Sequence, residues 1–180
     1  MSVISEVIGR VLRVRSMVAA DLPRLLQIEK QPFGSRLIRH ALPSKLAAGD
    51  RGIWVATIQN AVVGYLIYQV FTDRESSAEE NPKHMPGASV HNEFTSQQPR
   101  VELLHVFVAP TWRRQGIGKA LLERFEPFPN TKEEYYVQAV VPESELPVQL
   151  MLRKAGFKAN RVLRRYFVDE DAYMFQQARQ

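Results

Sequence analysis

The sequence contains no cysteine. That absence excludes disulfides, thiol nucleophiles and cysteine-ligated metals, and it leaves any catalysis to oxygen and nitrogen groups. It also fits a reducing compartment, so the expected location is the cytoplasm. No apolar run approaches the ~20 residues that a membrane span needs. Met1-Ser2-Val3-Ile4-Ser5-Glu6 lacks the basic start and long apolar stretch of a secretory leader. A soluble, unexported chain with no membrane partner is expected. Acidic residues are in short supply, 19 against 24 lysines and arginines, for a net charge of +5. Such a surface favours anionic ligands. The arginines are spread along the chain, which favours a protein handling one polyanionic small molecule over a dedicated nucleic-acid binder.

What is present suffices for one domain over residues 1–180, since 45% of the chain is hydrophobic. Val11 to Arg15 alternates apolar and basic as a strand does, and Leu22, Leu25, Leu26 and Glu29 follow at helical spacing. Between Gln31 and Gly52 the pattern predicts one or two short helices interrupted by Pro43. Ile53–Gln59 and Val62–Phe71 read as a hairpin turning at Asn60-Ala61. Residues 72–100 hold too little periodic hydrophobicity for core and read as a long loop insertion. Val101–Val108 is a strand, Pro110–Gln115 a turn and Ile117–Phe125 a helix. Tyr135–Val141 reads as a strand, Leu146–Ala155 as a helix stopped by Gly156, and Arg161–Val168 and Ala172–Phe175 as final strands. The fold class is therefore mixed α/β: a central sheet flanked by helices.

The chemistry concentrates in the glycine turn. Amides at a helix start lack intrahelical partners and sit at the positive end of the dipole, so they bind a pyrophosphate where the chain can approach it. Gly116 and Gly118 permit that approach, and Arg113, Arg114 and Lys119 surround it with positive charge. No Gly-Lys-Ser/Thr ends the turn as in a P-loop, and no Gly-x-Gly-x-x-Gly is present.

Arg113-x-x-Gly116-x-Gly118, with Val106 to Pro110 before it and Lys119 to Leu122 after it, resembles the strand, turn and helix of the Gcn5-related N-acetyltransferase (GNAT) superfamily. Val141-Pro142-Glu143-Ser144-Glu145, Gly156-Phe157, Arg164-Arg165-Tyr166-Phe167 and Asp171-Ala172-Tyr173-Met174 resemble segments of its ribosomal-protein-alanine N-acetyltransferases. The resemblance implies a mostly antiparallel mixed sheet of about six to seven strands. It also implies acetyl-coenzyme A as cosubstrate, no metal, and a primary amine acceptor such as a protein N-terminus or ribosomal protein. The backbone of Val106, Phe107 and Val108 would pair with the pantetheine arm. The amides of Arg114, Gln115, Gly116, Ile117, Gly118 and Lys119 would hold the pyrophosphate beside Arg113.

The resemblance to the alanine subfamily breaks where its catalytic glutamate falls on Val140, its tyrosine on Leu152 and its cofactor-contacting asparagine on Glu145. Glu102, eleven residues before Arg113, instead resembles the general-base glutamate of the superfamily's histone acetyltransferases. A bland alternative pairs it with Arg100. His105 is the next base, and strand alternation turns it away from Glu102's side. Tyr166 is the candidate acid or acceptor-site residue, with Tyr135 and Tyr136 behind it. Three readings stay open: a transferase acting on an N-terminus, a lysine or a small amine; an acyl-coenzyme A-binding module without turnover; and a ribosomal-RNA binder.

Overall fold

A computed structural model describes residues 3–7, 10–29, 51–71, 99–128, 133–167 and 169–180. The helices expected between Gln31 and Gly52 lie outside these residues up to position 50, and Arg51 and Gly52 open a strand. Of the loop expected over 72–100, residues 72–98 also lie outside.

Among the described residues eight strands and three helices follow in order: β1 (Val3–Val7), β2 (Arg10–Ser16), α1 (Leu22–Glu29), β3 (Arg51–Ile58), β4 (Ala61–Phe71), β5 (Arg100–Val108), α2 (Ile117–Arg124), β6 (Tyr135–Pro142), α3 (Leu146–Lys154), β7 (Lys158–Phe167) and β8 (Glu170–Arg179). The strand order is β1-β2-β3-β4-β5-β6-β8-β7. The mixed, mostly antiparallel sheet is as expected: β5 and β6 run parallel, while β1-β2, β2-β3, β3-β4, β6-β8 and β7-β8 are antiparallel. The strand beyond the expected number is β1. The chain forms two compact units, one of residues 1–69 and 103–129, the other of residues 70–102 and 130–180.

In the first unit, Asp21 organises the entry to α1. Its carboxylate accepts two hydrogen bonds from the Arg15 guanidinium, at 2.6 and 2.9 Å, and one from the Val18 amide at 2.9 Å. Arg15, and to a lesser degree the Val18 bond, holds this buried carboxyl below its ordinary range against the opposing effect of burial. Leu25 and Ile28, one turn apart, are fully buried against Ile53, Val55, Tyr65 and Ile67. Their burial contributes roughly 3–6 kcal/mol. The next residues along β3 and β4, Trp54 and Tyr68, turn to the other face, where both rings meet Phe125 beyond the end of α2. A Cβ on Gly64 would stand 2.8 Å from the Phe107 carbonyl and in contact with Leu121 and Ile117. Only glycine lets strand and helix approach so closely there.

In the second unit, β8 lies between β6 and β7. Register places Gln138 opposite Gln176, Val140 opposite Met174, and Ala172 opposite Leu163 of β7. These residues share one face. Tyr173 and Phe175 point to the other, where α3 lies. The α3 helix stops as Gly156 predicts. The Phe157 amide donates to the Leu152 carbonyl and the Gly156 amide to the Arg153 carbonyl, both at 3.0 Å, with Gly156 at φ 90°. Gln177 donates to the Ala155 carbonyl at 3.0 Å and ties the helix end to β8.

Candidate active site

Between β5 and α2 the chain makes a short 3-10 turn over Pro110–Trp112 and then takes left-handed backbone at Arg114 (φ 63°) and Gly116 (φ 80°). Gly116 caps α2, and the first amide bonded within the helix is that of Ala120, to the Gly116 carbonyl at 2.9 Å. The amides of Ile117, Gly118 and Lys119 precede it and have no carbonyl one turn back. The first turn of the helix holds no acidic residue, and a Cβ on Gly116 would meet nothing within 4 Å. Open space therefore faces a helix start with Arg113, Arg114 and Lys119 exposed around it. The turn is braced from within: Arg113 Nε donates to the Val108 carbonyl at 3.0 Å and Gln115 Nε2 to the Thr111 carbonyl at 3.2 Å. Gln115 thus spends its amide nitrogen on the turn, while its Oε1 is buried without a hydrogen-bond partner among the described residues. These residues fit a diphosphate, whose acceptor oxygens match the amides of the helix start and whose charge matches the cations around it.

The candidate base and acid lie in the other unit. Glu102 stands opposite Gln138 in the parallel ladder, so the two share a face, and Val140 follows one pleat further on that face. Val140 and Tyr166 both pack against the cluster of Leu163, Ala172 and Met174. Burial raises the Tyr166 phenol above its ordinary value, and the charge of Glu102 raises it further. Carboxylate and phenol are thus electrostatically in touch, with the phenol held protonated. The Arg100 guanidinium, the alternative partner of Glu102, lies 4.7 Å from the centre of the Phe71 ring. Gln138, a buried polar residue between Glu102 and Gln176, has no signal in the sequence. Only strand register reveals it.

His105 packs inside the first unit, its ring 5.5 Å from that of Tyr65. Burial lowers its pKa to about 4, and its Nε2 is buried without a hydrogen-bond partner among the described residues. The imidazole is neutral at neutral pH. Leu152, where the resemblance has a tyrosine, is 1% exposed and belongs to the end of α3. Tyr135 is a buried core residue and Tyr136 is half-buried on β6. Among the described residues no helix is long and apolar enough to cross a membrane, and no cluster of three metal-binding side chains occurs.

The model of the acetyltransferase (GNAT) family matches residues 22–157. An N-alpha-acetyltransferase of Sulfurisphaera tokodaii is 26% identical over 170 residues, 92% of each chain, and one of Saccharolobus solfataricus is 24% identical over the same share. Among solved structures, NAA60 of Arabidopsis thaliana in complex with acetyl-CoA superposes with a TM-score of 0.67 at 19% identity, covering 93% of this chain and 98% of that one. The ribosomal-protein-S18-alanine N-acetyltransferase of Escherichia coli superposes with a TM-score of 0.60 at 19% identity, covering 93% of each.

Proposed function

The chain belongs to the acetyltransferase (GNAT) family and is an N-acetyltransferase, and from that membership we propose that it moves the acetyl group of acetyl-coenzyme A to the α-amine of a protein N-terminus. The choice of amine is supported by the two N-alpha-acetyltransferases that match it over 92% of their length. The chemistry rests on one observation: Glu102 lies on the sheet face to which Tyr166 packs, and its charge reaches the phenol.

Acetyl-coenzyme A supplies a thioester carbon for direct attack by the amine. The amides from Arg114 to Lys119 bind its pyrophosphate, with Arg113, Arg114 and Lys119 adding charge, and the β5 backbone from Val106 to Val108 pairs with its arm. A backbone amide of that strand donates to the thioester oxygen. Glu102 accepts the proton of the attacking amine, directly or through water, and takes over the task of the glutamate that Val140 replaces. Tyr166, kept protonated by burial and by Glu102, offers a proton to the leaving sulfur.

Mass spectrometry tests the acceptor. The protein is incubated with acetyl-coenzyme A and two peptides, one with a free N-terminus and no lysine, the other blocked at its N-terminus and carrying lysine. Acetylation of the first alone is expected. Acetylation of the lysine peptide alone, or of neither peptide by a protein that binds coenzyme A, overturns the reading.

A further inference from the structure

The chain's positive charge is concentrated far more than its even scatter of arginines suggests. Residues 146–167 hold six basic side chains, Arg153, Lys154, Lys158, Arg161, Arg164 and Arg165, and not one acidic residue. The remainder of the chain carries 18 basic against 19 acidic residues, so this single segment accounts for the whole excess. It forms α3 and the edge strand β7. Arg164 pairs with Asp171 across the hairpin, while Arg153, Lys154, Lys158 and Arg165 make no ion pair among the described residues.

Lys158 and Arg161 stand opposite Gln176 and Met174, on the Glu102 face, while Arg153, with Lys154 next to it in α3, borders a surface groove on the other face. Leu146, Leu150, Ala159, Tyr173 and Phe175 line it, with Gln149 and Arg153 at its polar side. Leu146 is 56% exposed and Leu150 43%. Val162, 46% exposed, stands opposite Tyr173 in the ladder and so extends the same face. Three of the six exposed large apolar residues among those described thus gather at one place. The groove opens on the face of Tyr173 and Phe175, opposite the face that carries Glu102 and Val140, so it is no part of the candidate acceptor site.

Two simpler explanations account for only part of this. Arg153 and Lys154 complement the dipole at the end of α3, and basic residues and bulges on β7 deter edge-to-edge aggregation. Neither calls for exposed leucines beside the charges. A second copy of the chain docking by the same patch would bring Arg153 and Lys154 against their own like charges. A nucleic acid would satisfy the charges and leave the aliphatic floor unused. A protein segment that carries carboxylates beside large apolar side chains satisfies both.

We propose that the groove between α3 and the β7–β8 hairpin docks an acidic protein segment, anchored by apolar side chains against Leu146, Leu150 and Val162, with its carboxylates on Arg153 and Lys154. The site is separate from acetyl transfer and holds a partner protein.

Random peptides displayed between fixed glycine-serine spacers, so that no terminal amine enters the selection, are panned on the folded protein and on its Leu146→Ser/Leu150→Ser and Arg153→Glu/Lys154→Glu variants. Peptides enriched on the parent are expected to be net acidic and to contain leucine or aromatic residues. Each double variant should lose about tenfold or more of the affinity for them. Coenzyme A affinity should be unchanged in both. Enrichment of peptides lacking either acid or apolar residues overturns the proposal, as does no enrichment over the variants. Oligouridylate binding that exceeds the best peptide and ignores the leucine changes makes the surface a nucleic-acid site and overturns it too. Because the readout is peptide binding and not turnover, these outcomes are independent of the acceptor assigned above.

Discussion

The charge of Glu102 acts on the Tyr166 phenol, and one substitution tests both proposed roles. Glu102→Gln is expected to lower turnover about 10²-fold with little change in coenzyme A affinity. The loss should shrink as pH rises past about 8, where an α-amine becomes neutral without help. Rates equal to the parent from about pH 6 to 9, with chemistry limiting, would remove Glu102 from the mechanism. The same variant removes one of the two causes that raise Tyr166, so its phenol should ionise at lower pH, read by tyrosinate absorbance with Tyr166→Phe identifying the signal. The glycine turn was legible in the sequence because its residues are adjacent and its spacing is its geometry. The Glu102 face was legible only in part. It depends on the match of Glu102 to Gln138 and on the bulge between Leu163 and Phe167, which no local pattern encodes.

Single substitutions test the turn before α2 and the entry to α1. Gly116→Ala meets no neighbour but must hold φ near 80°, at a cost of about 1 kcal/mol. Asn60→Ala, at φ 64° in the β3–β4 turn, carries a similar backbone cost away from the turn. Calorimetry should find coenzyme A affinity weakened in the first and unchanged in the second. Asp21→Asn leaves the Arg15 guanidinium half-buried without its carboxylate and should destabilise the protein by roughly 2–3 kcal/mol in urea unfolding. Leu152→Tyr, which the family resemblance suggests as a gain, is expected to destabilise instead, since that side chain is buried beneath the end of α3. Most elements were visible as periodic runs or hairpins. The β1 strand was not, being short and read only for leader character. The continuation of β8 through Gln176, Gln177, Ala178 and Arg179 is polar, and it is strand because β6 pairs with it.

The whole protein should lose stability in mild acid. His105 has a folded pKa near 4 against an unfolded value near 6.5, so its contribution is complete above about pH 6.5 and is lost as pH falls toward 4. Asp21, lowered by Arg15, adds a further loss below the ordinary carboxylate range. Unfolding free energy measured from pH 7 to 4 should fall by a few kcal/mol, and His105→Phe should flatten that slope. An unchanged slope would assign the acid sensitivity elsewhere. The position of β8 has a consequence for synthesis. It is translated after both of its neighbours, and β7 pairs with no other strand among the described residues. While the ribosome still holds β8, a nascent chain can set Glu102 beside Gln138 but has no Met174 or Ala172 for Tyr166 to pack on. If Glu102 and Tyr166 act as proposed, the acceptor face is complete only after that strand emerges, and a chain stalled before it should bind coenzyme A at the already finished turn without acetylating anything.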